Sequence, residues 1–200
     1  MEIDATLVKT LREKTGVGVM ECKVALKEAA GNLEEAVKIL RKKGLSSAAR
    51  RASRTASEGT VGSYIHAGGR IGVLVEVNCE TDFVARTPEF QGLVKDVAMQ
   101  IAATQPRFVN REEVTSDVLA QEREVCRAQA LTSGKPPHVV DKIVEGKMEK
   151  FYAEACLYEQ PYVRDPNVTI QDLISSVVAR VGENIRVRRF ARFGVGEIPG

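Results

Sequence analysis

The residues able to ligate a metal or attack a substrate are few: four cysteines and two histidines in 200 residues. Cys22, Cys79, Cys126 and Cys156 are widely spaced and form no Cys-x-x-Cys pair, so neither a zinc site nor a small disulfide framework is indicated. They are expected as buried or half-buried thiols in a reducing cytoplasm. His66 and His138 lie far apart, and a metal centre using them would need convergence of distant segments. His66, at a predicted strand end beside a turn, reads first as an ordinary structural histidine. No Gly-x-Gly-x-x-Gly follows a strand, and Gly134-Lys135 and Gly146-Lys147 lack the preceding glycine and following Ser/Thr of a phosphate-binding loop. No Gly-x-Ser-x-Gly elbow is present. The expectation is a binding protein with no cofactor and no metal, not an enzyme, although residues distant in sequence can still assemble an active site.

Two stretches stand out instead. Arg41, Lys42, Lys43, Arg50, Arg51 and Arg54 fall within residues 41–54 with no acid among them. Such a run is either a solvated helical linker or a patch for an acidic protein surface or for RNA phosphates. No aromatic residue interleaves it to stack on bases. The second stretch is Asn78-Cys79-Glu80-Thr81-Asp82-Phe83-Val84-Ala85-Arg86. A phenylalanine in a connection more commonly folds back as core. The alternative is a protruding turn that presents Phe83 as a wedge with Asp82 beside it, and a loop on a rigid scaffold is where binding groups tend to sit.

The elements that must position these residues follow from periodicity. Ile3, Leu7 and Leu11 predict a helix stopped by Gly16. Val19, Cys22, Leu26 and Ala29 predict a second, ending at Gly31. Leu33, Ala36, Val37 and Leu40 predict a third, capped by Asn32 with Glu35 at the capping-box position and ended by Gly44. Residues 46–57 then read as a basic linker or a solvated extension of the third helix, and the domain boundary falls there. Beyond it the period changes. Residues 60–66, the turn Ala67-Gly68-Gly69-Arg70 and the alternating Ile71–Cys79 predict a hairpin with one face on a core. Thr87-Pro88-Glu89 opens a helix whose stripe is Phe90, Leu93, Val94, Val97 and Ile101. A weaker, charged helix follows over 116–133 and stops at Gly134-Lys135-Pro136-Pro137, and a long one over 138–157 puts Val140, Ile143, Val144, Phe151, Tyr152 and Ala155 roughly in line. Thr169 and Asp172 frame a capping box before a helix stopped by Gly182, and 184–193 is a third strand. The fold class is α+β: a three-helix unit over 1–45, then a core over 58–200 of a small antiparallel three-stranded sheet packed with helices.

Composition sets limits on partners. The formal charge is +2, from 29 Lys plus Arg against 27 Asp plus Glu, and the hydrophobic share is 44%. These values suit a globular protein and argue against disorder. The six positive charges of 41–54 exceed that total, leaving net −4 elsewhere. No apolar run approaches the roughly 18 residues of a membrane helix, and Glu2, Asp4, Lys9 and Arg12 interrupt any signal-like start. A cytoplasmic location and no membrane partner are expected.

The segments LREKTGVGVMECKVAL (11–26) and NCETDFVAR (78–86) resemble bacterial translation elongation factor Ts, the guanine nucleotide exchange factor of the GTPase elongation factor Tu. The likeness continues through GSYIHAGGRIGVLVEV (62–77), SGKPPHVVDKIVEGKMEKF (133–151), EQPYV (159–163) and GENIRVRRF (182–190). It implies a ubiquitin-associated-like N-terminal domain that docks on the partner's GTPase domain. It also implies that the turn Thr81-Asp82-Phe83-Val84 disturbs the partner's magnesium and phosphate site. Arg12 and Met20 match N-terminal contact positions, and Val19 stands where a methionine is usual. Arg51 matches a basic contact position, and His66 one that touches the partner's β-barrel portion. The longer members carry two core subdomains and a coiled-coil insertion; one core unit of about 140 residues here implies a homodimer, two-fold dimers being the commonest oligomers. Direct nucleic-acid binding is not expected, the alternative being a ribosome- or RNA-associated protein using 41–54.

Overall fold

The computed structural model describes residues 3–132 and 136–197, with only the backbone described at 137 and 138. The expected break at Gly134-Lys135 therefore lies outside the described residues, as does the side chain of His138.

Three helices come first: α1 (Ala5–Thr15), α2 (Val19–Glu28) and α3 (Leu33–Arg51). The Asp4 carboxylate caps α1 by accepting the Thr6 N–H at 2.9 Å, and Gly16 ends it at φ 66°. Asn32 caps α3 by accepting the Glu35 N–H at 3.0 Å. The three pack around their own core of Val8, Leu11, Cys22, Ala25, Leu26, Ala36 and Leu40. Val19 is not on that buried face; its side chain is exposed.

Gly44 does not end α3, which stays helical through Arg51, where a linker is expected. Gly44 is buried against a later helix, and a Cβ there would meet the Ser175 carbonyl at an ordinary 3.7 Å. The absence of bulky apolar residues after Leu45 reads as a linker. In the fold it gives a small-residue helical face that packs closely.

The core sheet has β1 (Glu58–Ile65), β2 (Ile71–Cys79) and β5 (Arg186–Gly194) in the order β1-β2-β5, antiparallel throughout. Between β2 and β5 run α4 (Asp82–Ala85), α5 (Pro88–Thr104), α6 (Ser116–Thr132), α7 (Pro137–Ala155), a ribbon of β3 (Pro161–Tyr162) and β4 (Asp165–Thr169), and α8 (Ile170–Val181). Val73, Val75, Val77 and Cys79 alternate onto the inner face of the sheet. They meet Phe90, Val94, Val97 and Ile101 of α5, with Ile170, Ile174 and Val177 of α8 in the same core. Gly62 lets α5 approach β1, since a Cβ there would lie 2.2 Å from Val94 Cγ1.

α6 and α7 form a separate hairpin around Cys126, Ala130, Val140, Val144 and Met148 rather than lying on the sheet. Arg111 fixes its root. The guanidinium bonds Glu149 at 2.7 Å and Glu159 at 2.6 Å and lies 4.1 Å from the centre of the Tyr152 ring.

α3 and α8 run parallel in close contact. Arg41 pairs with Asp172 in the first turn of α8, and Arg51 Nε donates to the Gly182 carbonyl at its end, 2.9 Å away. Both pairs of positions are ten residues apart, about 15 Å of helix, so the two basic groups match the two ends of α8.

Candidate functional site

The turn after β2 is built from the strand outward. Val77 and Cys79 are buried, and the Cys79 thiol donates to the Thr81 carbonyl at 3.1 Å. Burial pushes this thiol up to about 11, with the nearby Glu183 carboxylate adding to the shift. Thr81 is extended and caps α4, accepting the Val84 N–H at 3.4 Å. Val84 and Ala85 then point into the core. With those neighbours inward, the helical turn carries Phe83 outward, where it is 79% exposed. The commoner fate of a loop phenylalanine, burial, is overturned here by the cap and by the register of the turn. Asp82, half-exposed beside it, accepts from Arg86 at 2.8 Å.

Residues far away in the chain brace this turn. Glu183, next to the left-handed Gly182 that ends α8, accepts the Thr81 N–H at 3.0 Å and the Thr81 hydroxyl at 2.7 Å. The Asn184 N–H donates to Glu80 at 2.6 Å. The Asn184 side chain donates to the carbonyls of Arg54, at 2.8 Å, and Ala52, at 3.4 Å. Glu80, Glu183 and Asn184 carry no role in the sequence reading. The available signal was the glycine stop followed by two polar residues before a strand, which leaves the partner 102 residues away unnamed.

The other expected contact residues are spread out. Arg12 is exposed on α1, and Val19 (48%) and Met20 (71%) are exposed at the start of α2. Arg12 and Val19 line one shallow groove with Ile3 and Lys23. Met20 lines another, between α2 and α3, with Val24, Lys43, Arg50 and Arg51. Arg51 is half-buried and turned toward its own chain, holding Gly182 and Ser47. His66 sits exposed at the β1–β2 hairpin, its Nδ1 3.0 Å from the Tyr64 hydroxyl. β2, a nine-residue strand about 27 Å long, separates that hairpin from the Phe83 turn. These residues do not converge on a pocket; they present a long, discontinuous surface.

The basic run is mostly occupied within the chain. Arg41 holds Asp172, Lys43 reaches Glu28 at 2.8 Å, Arg51 holds Gly182, and Arg54 faces Glu80 at 3.5 Å. Only Lys42 and Arg50 of the six have no such contact among the described residues. All four cysteines are buried and free. No described helix is long and apolar enough to cross a membrane.

A family model described as "Elongation factor TS" matches residues 6–197. The chain is similar to proteins named elongation factor Ts in several bacteria. Identity is 60% with that of Caldanaerobacter subterraneus subsp. tengcongensis, with 98% of each chain covered. It is 61% with that of Anaeromyxobacter sp. strain K and 57% with that of Carboxydothermus hydrogenoformans. Each of these two alignments covers 98% of this chain and 90% of the relative.

Proposed function

The chain belongs to the elongation factor Ts family, and from that premise we propose that it is a guanine nucleotide exchange factor for elongation factor Tu. The observation that carries this is Phe83, an aromatic ring held almost fully in solvent by a capped turn whose neighbours are buried. An exchange factor need not bind nucleotide. It must bind the nucleotide-free partner more tightly than the loaded one, and by linkage nucleotide then weakens the factor's binding by the same ratio. The Asp82-Phe83 turn enters near the partner's bound magnesium, whose charge neutralises the nucleotide phosphates, and loosens both. Phe83 is already exposed, so docking it conceals apolar surface without first opening this chain's own core. The work is binding, not covalent chemistry, and takes place in the cytoplasm.

Residues 1–45 form the docking domain, with Arg12, Val19 and Met20 on the GTPase domain and Arg51 at the rim of the Met20 groove. His66, at the far end of β2, reaches a second portion of the partner. The distance between hairpin and turn suits a partner gripped at two places. The core, residues 58–200, also pairs with a second copy. Support comes from the outer face of the sheet, where Val61 (65%), Leu74 (50%) and Phe193 (71%) form an exposed apolar strip edged by the Glu76–Arg189 ion pair. Release of labelled GDP from elongation factor Tu tests the function directly. Substoichiometric protein accelerates release; a rate equal to the spontaneous one overturns the proposal.

A further inference from the structure

We propose that Glu183 is the positioning residue of the exchange turn, holding Thr81 so that Phe83 is presented in one orientation; this rests on the exchange reading above. Three observations converge on it. Its two carboxylate oxygens take separate donors from one residue, Oε2 the Thr81 N–H at 3.0 Å and Oε1 the Thr81 hydroxyl at 2.7 Å. With its proton committed to Glu183, the Thr81 oxygen offers a lone pair to the Val84 N–H, and that bond closes the single turn of α4. A four-residue helix is too short to hold itself, because nucleation fixes several residues for one hydrogen bond. The turn therefore depends on anchors from outside: burial of Val84 and Ala85 and the Gln91 bond to the Ala85 carbonyl at 2.6 Å hold its end, and Glu183 holds its start at Thr81.

The anchor is itself anchored. Gly182 stops α8 at φ 79°, a left-handed conformation suited to glycine, and turns the chain so that Glu183 faces Thr81. The Gly182 carbonyl is gripped by Arg51, and Asn184 is tied to Ala52, Arg54 and Glu80. The segment 182–184 thus contacts the end of the docking helix α3 on one side and the Phe83 turn on the other. Glu183 touches neither partner nor nucleotide in this scheme. It acts through Thr81, by removing alternative orientations of the turn that docking would otherwise have to freeze out.

The test compares the parent, Glu183→Ala, Glu183→Gln, Phe83→Ala and the Glu183→Ala/Phe83→Ala double variant. The readout is GDP release from elongation factor Tu at increasing factor concentration. Glu183→Ala should lower the maximal stimulated rate about tenfold, equivalent to about 1.4 kcal/mol. The half-saturating concentration should move less than about threefold, because the N-terminal contacts are untouched. Glu183→Gln keeps the side chain's size and one acceptor oxygen, so it should recover part of the loss. In the Phe83→Ala background, Glu183→Ala should change the residual rate less than about twofold, since there is no ring left to aim. Backbone amide exchange at residues 82–86 of the free protein should quicken in both Glu183 variants while α5 stays protected. Full stimulation by Glu183→Ala overturns the proposal, as does an equal fractional loss in both backgrounds or unchanged amide exchange in Glu183→Gln. A parent that leaves GDP release at its spontaneous rate overturns the exchange reading and the proposal with it.

Discussion

Removing the Asp172 carboxylate should cost about 3 kcal/mol of folding stability. Its side chain is 7% exposed and carries three separate loads. It accepts the Thr169 N–H at 2.9 Å and the Thr169 hydroxyl at 2.8 Å, completing the capping box of α8, and it pairs with Arg41 of α3. Loss of a cap costs about 1 kcal/mol, and a charge-assisted hydrogen bond contributes about 1.5–3 kcal/mol. The larger penalty for stranding a buried charge does not apply in full, because the Arg41 side chain is 43% exposed and turns to water. At about 2–4 °C per kcal/mol for a chain of this size, Asp172→Ala should lower Tm by about 6–12 °C. Arg41→Ala removes the ion-pair arm and the Arg41 bond to the Asn167 carbonyl at 3.1 Å and leaves the buried Asp172 carboxylate without its cation, so it should cost as much, roughly 3 kcal/mol.

The pH dependence follows from the same contacts. Burial alone would raise the Asp172 carboxyl, but Arg41 and the Thr169 donors outweigh it and hold the group below the ordinary carboxylate range. A depressed native pKa gives stability that is fully present above the unfolded value, about 3.9, and is lost as pH falls through the native value. Differential scanning calorimetry from pH 7 to 3 should therefore show the gap between parent and Asp172→Asn closing at the acid end. A Tm change below about 2 °C for Asp172→Ala, or a gap that widens toward pH 3, would refute this account of the α3–α8 junction.

Two further outcomes are expected. Burial pushes the thiols of both Cys79 and Cys156 up to about 11, leaving about 0.1% thiolate at pH 8. Iodoacetamide should label them at least a hundredfold slower in the native protein than in urea, as read by mass spectrometry; equal rates would contradict their burial. Phe193→Asp puts a charge on the proposed sheet-face contact and should convert a dimeric parent to monomer in sedimentation equilibrium. A monomeric parent, or a variant as dimeric as the parent, removes that interface.

Much of the fold was legible because it rests on local signals. Thr87 before Pro88, Thr169 with Asp172, and the alternation from Ile71 to Cys79 each declare an element by themselves. Gly44 misled because a glycine at a helix end and a glycine at a helix–helix contact look alike in sequence. The β3–β4 ribbon was missed because two and five residues carry too little alternation to register. The basic run was legible as charge but not as wiring. That Arg41, Lys43, Arg51 and Arg54 face acids and carbonyls of their own chain depends on contacts as much as 131 positions apart. Phe83 shows the limit at the site itself, since residue type favours burial and only the capped turn sends it outward.

The central claim is that an exposed phenylalanine on a braced turn drives nucleotide release. Phe83→Ala removes a side chain that is 79% exposed, so folding should hardly change and Tm should stay within about 2 °C of the parent. Concealing that ring in the partner contributes about 1.5–3 kcal/mol, so stimulated release should fall about 10- to 150-fold. The decisive measurement is stopped-flow release of fluorescent GDP from elongation factor Tu with parent and variant at equal, saturating concentration. The account predicts fast release with the parent and at least a tenfold loss with the folded variant. Equal release by the two would contradict it.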